Sequence, residues 1–196
     1  MKSLIGLFLL LILWSCNGQN DKISPDSTAP RQFALVKSPN SIAFNNSFKE
    51  LLNAYWGLKE SVIAEKDSAM NQSARAMIQA ADSLKLNEIK ADSNLIFTAR
   101  TYSEGISSEL IGLIGEKEML SKRRSFQMVS DQLYDLIRTV QYDQALLFHA
   151  YCNNAFDDQG AYWICLPNDT QNPYLPKNAK TCCEIKDTIP LGTVHN

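Results

Sequence analysis

Four cysteines near the C-terminal end of the chain are the side chains best suited to chemistry. Cys152, Cys165, Cys182 and Cys183 fall within about thirty residues of one another. Paired thiols form disulfides, and thiolates bind soft metal ions. The two uses exclude each other because a metal needs the free thiolate. No Cys-x-x-Cys pair is present, so the spacing matches neither a zinc ribbon nor a thiol oxidoreductase.

Disulfide bonding of these four cysteines allows three connectivities. A bond between the adjacent residues Cys182 and Cys183 would be strained. We therefore expect Cys152 to bond one member of that pair and Cys165 to bond the other. Each bond would stabilise the fold by about 2 to 4 kcal/mol by fastening a loop-rich segment onto the rest of the domain.

Residues typical of catalysis are sparse. The chain contains two histidines, His149 and His195. His149 lies three positions before Cys152, and residues three apart on a strand point to opposite faces of the sheet. Nucleophilic catalysis needs a base within reach of the nucleophile, and no Gly-rich phosphate loop is visible either. We predict that the protein is not an enzyme.

The N-terminal residues look like the signal of a bacterial lipoprotein. Lys2 provides a positive charge, residues 4–13 form an apolar run, and a serine precedes Cys16. Ten residues span about 15 Å as a helix, half a bilayer, which predicts a cleaved signal peptide rather than a membrane span. Trp14 is bulkier than the residue usual at its position. We predict lipidation of Cys16 and a location in the bacterial cell envelope, on the outer membrane facing the periplasm.

Length and charge narrow the class of protein further. The chain has 196 residues, and 19 basic against 21 acidic side chains give a net charge of −2. This leaves no basic excess to neutralise a phosphate backbone, so we expect no nucleic-acid partner. The predicted organisation is a signal peptide (1–15), a lipidated cysteine with a flexible tether (16–45), a helical domain (46–190) with a Cys-rich C-terminal segment (141–190), and a tail (191–196).

Apolar residues recur every three or four positions from residue 47 onward, which predicts helices. The predicted helices cover 47–65, 67–84, 92–115 and 117–140. Ser47 and Glu50 have the spacing of a capping box, and Asp67 is expected to cap the second helix. Short connections between helices of similar length predict antiparallel neighbours. The expected fold is mainly α, an up-and-down four-helix bundle.

The character of the sequence changes beyond residue 140. Segments 145–152 and 160–166 are short and aromatic-rich and are separated by turn-forming residues, which predicts a small hairpin. Pro167, Pro173 and Pro176 exclude regular helix from the stretch that follows. We expect this Cys-rich segment to be partly β and partly irregular and to pack on the bundle.

Two sets of helix side chains have plain structural interpretations. The basic run 122–124 is interpreted as a solvated helix face. Leu120 is expected to point inward. Four methionines are expected to fill gaps in or near the core: Met70, Met77, Met119 and Met128.

A series of short motifs follows one another along the chain. They are Tyr55-x-x-Leu58-Lys59, Asp67, Arg123-x-x-Phe126-x-x-Val129-Ser130, Tyr151-Cys152, Gly160-Ala161-x-Trp163, Asn172-Pro173-Tyr174 and Cys182. In this order, over about 48–185, they resemble the family known as domain of unknown function 3347. Members of that family are helical domains found alone in bacterial envelope proteins or appended to copper- and heavy-metal-efflux adaptor subunits. The resemblance implies metal-efflux components or another envelope protein as partners.

The resemblance also implies a site for Cu(I), with departures in this chain. The family has Cys-Pro-Met-Ala where this chain has 152–155, Cys-Asn-Asn-Ala, and a later Met where it has Ala179. A soft Cu(I) site would therefore need replacement ligands. The candidate ligands are Cys152, Cys182, His149, Cys165 and Cys183, with Trp163 covering the ion.

The function expected from the sequence is that of a non-enzymatic envelope lipoprotein that binds or handles a heavy metal, with Cu(I) as the candidate ion, in connection with efflux. The alternative is a disulfide-stapled protein-interaction module of the envelope with no metal site. In that alternative, Trp163 and the motif Asn172-Pro173-Tyr174 belong to the docking region.

Overall fold

The computed structural model describes residues 38–175 and 182–189. The predicted signal peptide, Cys16, most of the tether and the tail 191–196 lie outside the described residues. His195 and Ala179 lie outside them too.

Four α-helices make up most of the described chain, and the fold is mainly α as predicted. The elements are α1 (Ile42–Ala64), α2 (Asp67–Asp82), a short 3₁₀ turn (Leu86–Glu88), α3 (Ser93–Gly115) and α4 (Met119–Thr139). Each helix packs against the next one in the chain, and α1 also contacts α4. Short connections favour this arrangement because they return the chain beside the helix it has just left.

Helix α1 begins earlier than its predicted capping box. The N-cap is Ser41, whose hydroxyl accepts a hydrogen bond from the Phe44 amide at 3.1 Å. Ser47 lies inside the helix, where its hydroxyl donates to the Phe44 carbonyl at 2.8 Å and accepts from the Lys85 amide at 3.1 Å. The predicted cap at Ser47 is therefore wrong, because an earlier serine satisfies the free amides first.

The starts of α2 and α3 differ in how they are capped. Asp67 is the first residue of α2, and the N-cap residue, Lys66, makes no side-chain cap hydrogen bond. The predicted capping role of Asp67 is wrong, because its carboxylate instead pairs with Lys122 Nζ at 2.9 Å. The predicted start of the third helix is confirmed, since Asp92 Oδ1 accepts from the amides of Asn94 and Leu95, each at 2.9 Å.

One apolar core joins the buried stripes of the helices to the C-terminal segment. Met70 and Met77 are fully buried in it, as predicted, and Met119 packs partly buried against it. Leu120 and Met128 are 53% and 47% exposed, so their predicted inward or near-core positions are wrong. Both residues lie off the three-and-four-residue spacing of the buried stripe of α4.

A small antiparallel sheet follows the helices. Its strands are β1 (Leu147–Cys152), β2 (Ala161–Cys165) and β3 (Glu184–Ile189), in the order β2-β1-β3. The pairing of β1 with β2 confirms the predicted hairpin. Strand β3 was not predicted, because its sequence is largely polar and exposed and shows no apolar alternation.

The turn between β1 and β2 depends on a glycine at its end. Gly160 has a φ of +79°, a conformation that side-chain-bearing residues rarely adopt. A Cβ atom at this position would also collide with the Tyr151 hydroxyl across the hairpin. The Gly-Ala-x-Trp motif therefore begins with a residue that the geometry of the hairpin requires.

Candidate functional site

The cysteines occupy two different chemical states. Cys152, at the end of β1, forms a disulfide with Cys182, which lies just before β3, and their Cα atoms are 5.2 Å apart. Cys152 thus bonds one member of the adjacent pair, as predicted. The second predicted bond is not formed: among the described residues Cys165 is a buried free thiol and Cys183 an exposed one.

The environments of the two free thiols favour their protonated forms. Burial raises the pKa of Cys165 to about 12, although the nearby Lys59 opposes this shift. Desolvation also raises the pKa of Cys183, against opposing effects of Lys59 and of a hydrogen bond with Thr170. The thiolate is the form that binds metals and attacks electrophiles. Near neutral pH these two cysteines are therefore poor ligands and poor nucleophiles.

His149 lies in an aromatic stack away from the thiols. Its ring is 3.7 Å from the Tyr134 ring of α4 and 4.6 Å from the Tyr162 ring of β2, centroid to centroid. Desolvation lowers the pKa of this histidine to about 4. Its Nε2 atom is buried with no hydrogen-bond partner within the described parts of the chain. The imidazole is thus held as a neutral aromatic ring.

The predicted ligand set does not fit a metal ion in this arrangement. Cys152 and Cys182 are consumed by their mutual bond, and His149 is stacked between two tyrosines. In residues 38–175 and 182–189, no group of three or more His, Cys, Asp or Glu side chains is placed to hold a metal. A site for Cu(I) would first require reduction of the disulfide.

The aromatic and Asn-Pro-Tyr motifs hold the C-terminal segment together. Asn172 donates from Nδ2 to the Cys182 carbonyl at 3.0 Å and accepts the Tyr174 amide at 2.8 Å. The buried Tyr174 hydroxyl donates to the Tyr162 carbonyl, and its ring meets the edge of Trp163 at 5.9 Å. Trp163 is fully buried in the core, so the predicted role of covering an ion has no support in this packing.

Part of the basic run is buried, contrary to the predicted solvated face. Lys122 is 1% exposed, and its Nζ donates to Asn71 Oδ1 and to the Leu113 carbonyl, each at 3.0 Å. Arg123 is 8% exposed, whereas Arg124 is exposed as predicted. The interpretation fails because two of the three side chains lie on the inner face of α4, where long polar side chains must find partners.

Arg123 ties three parts of the fold together. It donates to Glu65 Oε1 at 2.7 Å at the end of α1 and to the Pro173 carbonyl at 3.2 Å. It is thus the bridge by which α4 holds both the α1–α2 connection and the Asn-Pro-Tyr segment. Pro173 lies outside the helices and strands, so no regular backbone hydrogen bond satisfies its carbonyl. The Arg123 guanidinium supplies the donor.

Tyr55 lies at the junction of α1, α4 and β2. Its hydroxyl is 2.8 Å from Ser130 Oγ and accepts the Ile164 amide at 3.1 Å. The ring stacks on Phe126 with centroids 5.3 Å apart. Complete burial raises the pKa of the tyrosine, so the hydroxyl stays neutral. These motif residues, far apart in sequence, therefore build one contact between bundle and sheet.

Lys59 is a buried cation that sequence reasoning did not single out as a site residue. Its side chain is 1% exposed and pairs with Asp169 Oδ2 at 2.8 Å, next to the free thiols. A signal was present, because Lys59 lies four residues after Tyr55 on the same helix face. The ion pair could not be predicted, because its other member, Asp169, lies 110 residues further along the chain.

The described helices include none that is long and apolar enough to cross a membrane. Fold and site together define a mainly helical domain whose C-terminal three-stranded sheet is held on the bundle by buried motif side chains and is closed on itself by a disulfide. Residues 51–145 match the family described as "Protein of unknown function (DUF3347)", which confirms the predicted resemblance over that range. The match ends before β1, so the motifs of the Cys-rich segment lie outside it. No curated protein and no solved structure matches the chain.

Proposed function

We propose that the chain is a non-enzymatic binding module of the bacterial cell envelope, fastened by a disulfide and held at the membrane by a lipid on Cys16. The observation that carries this proposal is the bond between Cys152 and Cys182. Disulfides persist in oxidising compartments outside the cytosol. The bond therefore agrees with the export signal that the N-terminal sequence predicts. The module would recognise another component of the envelope.

The state of the remaining polar groups supports binding over catalysis. His149 is stacked between aromatic rings and is neutral over most of the physiological range, because its pKa is about 4. The free thiols are protonated near neutral pH, since burial raises the pKa of Cys165 and desolvation that of Cys183. A nucleophile needs a base that takes its proton, and these three groups offer no such pair.

A count of free thiols tests the oxidation state. The protein is isolated from cells, alkylated under denaturing and non-reducing conditions, and weighed by mass spectrometry. We expect two alkylated residues, Cys165 and Cys183, and a bonded peptide pair that contains Cys152 and Cys182. Alkylation of Cys152 and Cys182 in protein taken directly from the envelope would contradict the proposal.

Copper handling is a second candidate, favoured by the proximity of three cysteines. Reduction of the bond would leave the thiols of Cys152 and Cys182 together, with Cys183 next in the chain. Thiolates are the ligands that Cu(I) prefers. In this candidate the partner would be a metal-efflux component. The reduced protein should then withdraw Cu(I) from a coloured chelator, and Cys152→Ser should abolish the transfer, whereas Cys165→Ser should not. Failure of the reduced protein to compete excludes this candidate.

The lipid anchor has its own test. Cells are grown with a labelled fatty acid, and the protein is recovered from membrane and soluble fractions. We expect the label and the membrane association to disappear in Cys16→Ala and to remain in the matched variant Cys183→Ala. Label that survives in Cys16→Ala would show that the lipid is attached elsewhere, and absence of label from the unaltered protein would show that there is no lipid anchor.

A further inference from the structure

A polar cavity of about 360 Å³ lies beside the first four turns of α1. Its walls come from one face of that helix, from residues 142–147 after α4, and from Leu166 beyond β2. Small-molecule sites in proteins have volumes of roughly 300 to 1,000 Å³. The cavity is therefore large enough for a small ligand. None of the cysteines lines it, and Trp56 of the lining packs edge to face against Tyr55, with ring centroids 5.1 Å apart.

Amide side chains dominate the polar part of the lining. They are Asn45, Asn46, Asn53 and Gln144. Each amide presents two N–H donors and a carbonyl oxygen acceptor. A hydroxyl group both donates and accepts, so a set of amides is the complement of a ligand that carries several hydroxyl groups.

One of these amides is not satisfied by the protein. The Oδ1 atom of Asn45 is buried and has no hydrogen-bond partner among the residues that the structure describes. A buried acceptor without a partner is destabilising, and such groups in native proteins call for an explanation. Asn45 lines the cavity, and a flip of its side-chain amide would bring this shielded oxygen to a donor on a bound ligand.

Two aromatic side chains line the same cavity. Trp56 is partly buried, and Tyr142 is held in place by stacking on Phe48 with centroids 4.5 Å apart. The face of an aromatic ring carries partial negative charge and attracts the polarised C–H groups of a ring-shaped ligand. Because Tyr142 is 3% exposed, Trp56 is the aromatic side chain that a ligand can reach, and an aromatic ring next to amides suits a molecule with apolar C–H faces and hydroxyl edges.

The charge of the lining restricts the ligand further. Lys49 is the charged residue of the lining, and no carboxylate contributes to it within the described residues. A cationic ligand would find no partner there, whereas a neutral or acidic one would. We propose that this cavity binds a saccharide unit. The inference rests on the proposed role as a binding module and names the chemical class of its ligand.

Calorimetric titration with three trisaccharides tests the proposal: N-acetylglucosamine trimer, cellotriose and trigalacturonate. The full chain is purified in a detergent without a sugar headgroup, which would itself compete. We expect measurable binding of at least one probe. Trp56→Ala should weaken that binding about ten-fold, the effect of about 1.4 kcal/mol from one lost aromatic contact.

Asn53→Ala keeps the proposal testable if loss of the indole disturbs folding, because Asn53 is exposed on the helix surface. It should weaken binding about three- to ten-fold through one lost hydrogen bond. Phe97→Ala is the matched control, since Phe97 is 69% exposed on α3, outside the lining, and should leave binding unchanged. Absence of binding by all three probes, or binding unaffected by Trp56→Ala and Asn53→Ala, overturns the proposal. Neither result bears on the thiol count or the lipid label, so the proposed function is judged separately.

Discussion

Tyr55 shows how a single side chain can join distant parts of this fold. Its hydroxyl contacts Ser130 of α4 and Ile164 of β2, neither of which is near it in sequence. Ser130 Oγ also donates to the Phe126 carbonyl at 2.8 Å, so the serine has a second partner. The Ile164 amide depends on the tyrosine, because it lies on an edge strand of the sheet.

Removal of the Tyr55 hydroxyl should therefore destabilise the protein. Tyr55→Phe leaves the buried Ile164 amide without its acceptor, and we expect the free energy of unfolding to fall by about 1 to 3 kcal/mol. Urea denaturation followed by circular dichroism measures the change. Tyr102→Phe, on α3 away from the sheet, is the control and should be nearly neutral. Equal stability of the two variants would contradict the assigned role of Tyr55.

The pH dependence of stability should contain two opposite contributions. The pKa of His149 is lowered by burial to about 4, so the unfolded chain takes up this proton first as the pH falls. The contribution of His149 to the free energy of unfolding is therefore fully present above about pH 6.5 and is lost as the pH falls to about 4. Burial and the neighbouring Asp135 raise the pKa of Asp131 to about 6, so the contribution of Asp131 is full below about pH 4 and is lost as the pH rises to 6.

Two variants separate these contributions. We expect the unfolding free energy of His149→Phe to fall as the pH rises from 4 to 6, because the Asp131 contribution then stands alone. Asp131→Asn should show the reverse slope. Unfolding curves in urea at pH 4, 5, 6 and 7 supply the comparison, and parallel profiles for the two variants would refute the assignment.

At the scale of elements, α1 and α4 end in the same way. Glu65 and Gln141 follow the two helices with φ values of 55° and 52°. The next residue after each donates back to the last turn, Lys66 to Ser61 and Tyr142 to Ile137. This pairing is a Schellman motif, in which glycine is the usual residue because a Cβ atom disfavours positive φ.

The two ends should respond differently to glycine. Gln141 is exposed, so Gln141→Gly relieves the strain and should raise the free energy of unfolding by about 1 kcal/mol. Glu65→Gly relieves the same strain but removes the 2.7 Å contact with Arg123, and we expect no net gain. Thermal unfolding gives both values. A gain at Glu65 as large as at Gln141 would mean that the Arg123 bridge contributes nothing.

In the whole molecule, several buried contacts bind the C-terminal segment to the bundle, and one disulfide cross-links the segment internally. The disulfide closes a loop over a sequence separation of 30 residues. It joins the end of β1 to Cys182, two residues before β3, while Arg123 and Tyr55 connect the bundle with the chain between these two cysteines. Domain stability therefore depends on both.

Loss of the disulfide should lower stability without changing helical content. A loop of this length predicts a loss of about 3 to 4 kcal/mol in the double variant Cys152→Ala/Cys182→Ala. Cys183→Ser, which removes an exposed free thiol, is the control and should be close to neutral. Unfolding in guanidinium with and without a reductant gives the values. An unchanged midpoint on reduction would show that the buried contacts alone hold the segment.

Local patterns in the sequence were enough to predict the helices and the hairpin. Apolar residues that recur every three or four positions predicted the four helices. The predicted start of the third helix at Asp92 was correct, because this side chain satisfies the amides two and three residues away. The start of α1 was missed, since Ser41 and Ser47 look alike in sequence. Strand β3 was not predicted, because its side chains are mostly exposed and its sequence therefore shows no regular alternation of apolar and polar residues.

The partners of the polar side chains could not be predicted from the sequence. The strain of a bond between adjacent cysteines narrowed the predicted partner of Cys152 to two residues, but only the approach of the chain before β3 selects Cys182 over Cys183. Lys59 bonds a residue 110 positions away, and the polar cavity beside α1 is completed by residues from beyond α4. Periodicity and capping depend on neighbours within a turn, whereas these contacts depend on how distant segments pack. Local sequence patterns therefore predicted the helices and the hairpin, whereas the packing of distant segments decided which side chains meet.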